Sequence, residues 1–103
     1  MTSKAILVET TVDSDTDAKT LADALIERRL AACVQIVPVI STFVWENTPM
    51  RSEERCLRIK THESVYDDLE AYLLQNHPYD TPEIIVLPIL GGSNAYLNWI
   101  KSQ

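Results

Sequence analysis

The sequence predicts an α+β fold: a four-stranded sheet of ferredoxin-like βαββαβ order, with one extra helix at the C-terminus. Three observations carry that expectation. Two stretches have apolar residues at helical spacing, four read as strands, the longest of them rich in β-branched residues, and they follow one another in the order β-α-β-β-α-β. A final amphipathic stretch after Gly91-Gly92 supplies the extra helix.

The first strand is expected over Lys4 to Thr11, around the apolar run Ala5-Ile6-Leu7-Val8. Asp13-Ser14-Asp15 reads as a helix start, with Ser14 and Asp17 spaced as a capping box and three aspartates suited to a helix N-terminus. Ala18, Leu21, Ala22, Leu25 and Ile26 form the apolar stripe of that helix, and Arg28 and Arg29 stand at its cation-favouring end. Cys33 to Trp45 is a long β-branched run containing Pro38. A proline is disfavoured in a central strand, so an edge position or a bulge is expected there; two short strands joined by a loop at Val37-Pro38 are the alternative. Asn47-Thr48-Pro49 reads as the turn, and Glu54 to Thr61 as the returning strand. A second helix is expected over Ser64 to Asn76, with Val65, Leu69, Tyr72 and Leu73 on one face and His77-Pro78 at its end. Ile84 to Ile89 is a compact strand, and Ser93 or Asn94 caps the last helix.

Right-handed crossovers place both long helices on one face of the sheet, leaving the other bare. Residues 33–47 at about 3.3 Å each would span roughly 50 Å, whereas a compact chain of this length is only about 30–35 Å across. The hairpin must therefore bend at Pro38 or project. A projecting hairpin with open edges, together with a bare sheet face, predicts self-association. Trp45 at the tip is then expected to pack on another subunit; packing on its own domain, over Trp99, is the alternative.

At 103 residues the chain is one domain, 1–103. Nine basic against fifteen acidic residues give a net charge of −6, which repels phosphate backbones and makes nucleic acid a poor partner. Two adjacent glycines cannot build a dinucleotide or P-loop fingerprint. The N-terminal apolar run is too short for a signal-peptide core and no segment is long enough to span a bilayer, so a cytoplasmic protein with no membrane partner is expected. Cys33 and Cys56 are then expected to be reduced. A turn near Thr48-Pro49 would set Cys56 opposite Ser41, roughly 26 Å from Cys33, too far for a bridge.

Chemistry-bearing residues are few. His77-Pro78-Tyr79-Asp80-Thr81-Pro82-Glu83 gathers an imidazole, a phenol and two carboxylates between prolines. The plainer alternative is a helix-ending loop with His77 as its cap. Glu53-Glu54 face opposite sides of a strand and read as a solvated strand end. His62, beside Glu63 and Ser64, reads as solvated. No nucleophile elbow, zincin helix or paired Cys-x-x-Cys occurs, so no catalytic residues and no enzyme are expected.

Leu30-Ala31-Ala32-Cys33-Val34-Gln35-Ile36-Val37-Pro38 resembles the L-A-A-C-x-x-x-x-P signature of the CutA family, the divalent-cation tolerance proteins. Trp45-Glu46, Ile59-Lys60-Thr61, His77-Pro78-Tyr79-x-x-Pro82-Glu83-Ile84, Leu87-Pro88-Ile89 and Tyr96-Leu97-x-Trp99-Ile100 extend the resemblance over essentially the whole chain. It implies a ferredoxin-like homotrimer, similar in architecture to the PII signalling proteins, with a role in tolerance of divalent metals, chiefly copper. It also implies a metal site made of His77, the first-strand position Glu9, where metal-binding members carry a cysteine, and Asn76, where some carry a second histidine. One imidazole with carboxylates suits Cu(II) or another divalent cation, bound weakly and not as a required cofactor. The other function class is a PII-like sensor or scaffold. In that class a small molecule binds an intersubunit cleft lined by Trp45, Lys60, His77, Tyr79 and Glu83, a set mixing a cation, an anion and aromatic rings.

Overall fold

The computed structural model describes residues 4–103. The elements run β1 (Ala5–Val12), α1 (Asp15–Glu27), β2 (Cys33–Trp45), β3 (Thr48–His62), α2 (Tyr66–Asn76), β4 (Ile85–Pro88) and α3 (Asn94–Lys101), with a single 3-10 turn (Glu63–Val65) leading into α2. The sheet order is β2-β3-β1-β4, and every neighbouring pair is antiparallel. This is the ferredoxin-like βαββαβ arrangement that the periodicities predict.

Alternation along β1 sets the two faces of the sheet. Ile6, Val8 and Val12 join Leu57 and Ile59 of β3, Ala18, Leu21 and Leu25 of α1, and Leu69 and Leu73 of α2 in one buried core. Both long helices therefore cover the same face. Each fully buried leucine or isoleucine contributes about 1.5–3 kcal/mol relative to exposure. Ser14 caps α1, its hydroxyl accepting from the Asp17 N–H at 3.1 Å. The helix ends in a Schellman motif: Leu30 N–H donates to Leu25 O and Arg29 N–H to Ile26 O. Arg29 occupies the left-handed position of that motif, with φ 56°.

The opposite face, carrying Leu7, Glu9, Thr11, Cys56, Arg58 and Lys60, is expected to be bare but is partly covered. One end is overlaid by α3, whose Tyr96 ring lies 5.5 Å from Lys60 Nζ. Tyr96 and Trp99 stack at 5.7 Å, so Trp99 is engaged at the end of the sheet remote from the hairpin tip. Trp45 does not pack on it and is 49% exposed.

The hairpin departs from expectation in register. Trp45 pairs with Thr48, so the turn is the two-residue Glu46-Asn47, not Asn47-Thr48-Pro49. Both turn residues have positive φ, 50° and 63°, as a type I′ hairpin turn requires. Strand β3 accordingly begins at Thr48 rather than Glu54. Cys56 sits opposite Val37 and Cys33 opposite Lys60, four strand positions apart and not eight. That is still about 13 Å, beyond disulfide reach, and both thiols are free.

Pairing runs unbroken through Pro38, which faces Arg55. The proline is tolerated because β2 is an edge strand. Pairing between β1 and β3 stops at Val12 and Arg55, so Thr48 to Glu54 have β2 as their one neighbour. The hairpin thus projects, and the molecule is 45 Å along its longest axis against 26 and 21 Å across. Among the described residues no helix is long and apolar enough to cross a membrane.

Candidate functional site

The loop between α2 and β4 is pinned at both faces of the sheet. His77 caps α2, its N–H donating to Leu73 O at 2.9 Å. Its ring turns towards the core face, where Nε2 meets Thr10 Oγ1 at 2.9 Å. Nδ1 accepts the backbone N–H of Tyr79 at 3.0 Å, which puts the ring proton on Nε2 and makes Thr10 the acceptor. Burial lowers the imidazole pKa, outweighing the Thr11 backbone and the Asp17 and Glu54 charges that pull it up.

Two residues on, Tyr79 reaches the other side. Its hydroxyl donates to Glu54 Oε2 at 2.7 Å, and its ring lies 5.0 Å from that of His77. Glu54 is 7% exposed, not the solvated strand end expected from Glu53-Glu54; Glu53 alone is exposed. Burial and the Glu54 carboxylate push the Tyr79 phenol well above its usual range.

Between the hairpin and this loop lies a cavity of about 420 Å³. Ser41, Phe43 and Trp45 of β2 wall one side, Glu54 and Thr11 form the floor, and Tyr79, Asp80, Thr81 and Glu83 close the other side. Ser41, Phe43 and Trp45 share this face because they alternate along one strand. Burial raises the pKa of Glu83, and the Glu9 and Glu54 charges add to that rise. The Cys56 thiol, on the same sheet face, is also raised, by burial first and then by Glu9, Glu83 and Glu54 despite Arg58.

Of the expected cleft residues, Trp45, Tyr79 and Glu83 are brought together here. His77 stands behind Tyr79 without lining the cavity. Lys60 lies elsewhere, its ammonium donating to the Tyr96 hydroxyl at 3.4 Å. The expected metal set is not gathered within one chain. His77 bonds to Thr10 on the core face, whereas Glu9, the preceding residue of the strand, projects from the opposite face, 4.0 Å from Arg58 Nε. The Asn76 amide donates back to Tyr72 O on its own helix. Among the described residues no three histidine, cysteine or acidic side chains converge as metal ligands.

Sequence reasoning missed Glu54, Thr10, Phe43 and Ser41. For Phe43 and Ser41 the signal was present, since both share strand parity with Trp45. Glu54 gave none, because its partner lies 25 positions away.

Residues 6–103 match the family described as CutA1 divalent ion tolerance protein. The chain belongs to the CutA1 family. It is 45% identical over 103 residues to the chloroplastic CutA 1 protein of Oryza sativa, covering 99% of this chain and 58% of that one. It is 40% identical to the divalent-cation tolerance protein CutA of Pectobacterium atrosepticum, covering 96% of this chain and 91% of that one. The chain thus spans little more than half the length of the plant CutA relatives it matches. The CutA of Synechococcus elongatus superposes with a TM-score of 0.93 at 38% identity, covering 98% of this chain and 90% of that one. A second structure of that CutA is complexed with a Bis-Tris molecule.

Proposed function

We propose that this CutA1 chain serves divalent-ion tolerance as a homotrimeric, ligand-responsive binding module, not an enzyme. Its working site is the cavity between the hairpin and the Tyr79 loop, completed by a neighbouring subunit. The observation that carries this reading is the Trp45–Glu54–Tyr79 cavity: a preorganised pocket with aromatic walls and a buried, hydrogen-bonded carboxylate. The role in ion tolerance rests on the names of relatives such as the Pectobacterium protein. That a Synechococcus relative is complexed with Bis-Tris, an amine polyol, favours a small organic ligand. Trimer formation is supported by the one-sided hairpin tip and its exposed Ile40, Val44 and Trp45. The net charge of −6 argues against nucleic acid as a partner.

A second reading keeps the metal on the protein itself, as weak Cu(II) binding centred on His77. The relatives' names, divalent-cation tolerance, bring a divalent ion into consideration without naming copper. Within one chain the ion would have to displace the Tyr79 N–H from Nδ1, so any such site is weak or borrows ligands from a neighbouring chain.

Thermal melting separates the two. A specific ligand stabilises by RT ln(1 + [L]/Kd), about 2.7 kcal/mol at a hundredfold excess over Kd. Metabolite mixtures are expected to raise the melting temperature of the wild type, and Glu54→Gln to abolish that rise. If only Cu(II) stabilises, and His77→Ala removes the effect while His62→Ala does not, the second reading replaces the first.

A further inference from the structure

Most of the cavity's lining belongs to two chemical types. Phe43, Trp45 and Tyr79 supply ring faces, and Glu54, Asp80 and Glu83 supply carboxylates. None of the residues lining it is basic. The nearby guanidinium of Arg55 is held by Asp15, and that of Arg58 lies near Glu9. Glu54 is nine-tenths buried and keeps one oxygen on the Tyr79 hydroxyl. Within one chain the lining thus gathers three carboxylates and no basic side chain.

We propose that this pocket takes an organic ammonium ion, its charged head set against the Glu54 and Glu83 carboxylates and its alkyl groups against the Trp45, Phe43 and Tyr79 rings. The inference rests on the reading of the cavity as the small-molecule site and names the class of molecule it takes. A cation within about 6 Å of a ring face gains roughly 0.5–1 kcal/mol when exposed and about 2 when desolvated. A buried carboxylate adds a charge-assisted partner. Other classes fit poorly. An anion meets three carboxylates. A neutral apolar molecule would desolvate those carboxylates without replacing their water. A bare divalent ion needs several converging oxygen ligands, and no such group of three is formed among the described residues.

Calorimetric titration of the intact assembled protein with choline and with 3,3-dimethylbutan-1-ol, its uncharged isostere, tests the assignment. Choline is expected to bind at least about tenfold more tightly than the alcohol. Glu54→Gln, whose amide oxygen can still accept from Tyr79, is expected to weaken choline by about tenfold or more, as are Glu83→Gln and Trp45→Leu. Equal binding of the two probes would overturn the ammonium assignment while leaving a small-molecule pocket in place. Choline binding that survives all three substitutions would place it elsewhere and overturn the assignment too. Binding of neither probe, together with stabilisation by Cu(II) alone, would remove both the assignment and the pocket reading beneath it.

Discussion

The Tyr79 hydroxyl donates to the Glu54 carboxylate across 2.7 Å, tying the loop after α2 to the root of the projecting hairpin. One bond therefore positions both walls of the cavity. A hydrogen bond to a charged group contributes about 1.5–3 kcal/mol, and deleting its donor leaves the acceptor buried. Tyr79→Phe is expected to destabilise the fold within that range, read as a lowered midpoint in urea unfolding. A loss below about 0.5 kcal/mol, the size of an ordinary surface substitution, would mean that Glu54 finds water instead.

His77 gives stability a pH dependence of defined sign. Its folded pKa is lowered because burial disfavours the imidazolium. The unfolded chain takes up its proton near about pH 6.5 while the folded chain does not. Stability from this group is full above that pH and declines as pH falls below it, until the folded pKa is reached. Glu83 acts oppositely: burial first, then the Glu9 and Glu54 charges, raise its folded pKa, so its contribution to stability grows as pH falls. Urea midpoints between pH 7.5 and 5.5 are expected to fall more steeply for wild type than for His77→Gln. Parallel profiles would show that the imidazole titrates alike in both states.

Arg29 carries a left-handed conformation, φ 56°, at a helix terminus where glycine is at home. Its side chain is exposed. That conformation costs an L-residue about 1–2 kcal/mol, and glycine escapes it at the expense of some unfolded-state entropy. Arg29→Gly is expected to raise stability by up to about 1 kcal/mol. A loss on this substitution would show that the arginine side chain contributes more than its backbone costs.

The core tests the shared helix-covered face. Leu57 and Leu69 are fully buried, one on β3 and one on α2. Leu57→Ala and Leu69→Ala are each expected to cost about 2–5 kcal/mol. A cost under about 1 kcal/mol at either site would contradict the packing of α2 on the sheet.

Much of this was legible in the chain because it is local. The stripe from Ala18 to Leu25, the Ser14 cap and the alternation along β1 follow from periods of 3.6 and 2. Pro38 announced an edge, and β2 is one. The turn was misplaced because Asn47-Thr48-Pro49 is a strong turn signal. Pro49 instead sits in a strand, tolerated where β3 lacks a second neighbour, and a glutamate fills the first turn position. The site was less legible. His77 and Glu9 share one end of the fold but lie on opposite sheet faces, which strand parity decides and motif matching does not. The burial of Glu54 depends on a tyrosine 25 residues away, and no local pattern encodes it.

Ile40 and Val44 on the hairpin are 69% and 70% exposed in a single chain, and copies of the chain are expected to cover them. Sedimentation equilibrium at micromolar concentration tests that directly. It should return three times the mass of a single chain, with no folded species at the mass of one. A stable, folded single chain under those conditions would contradict it.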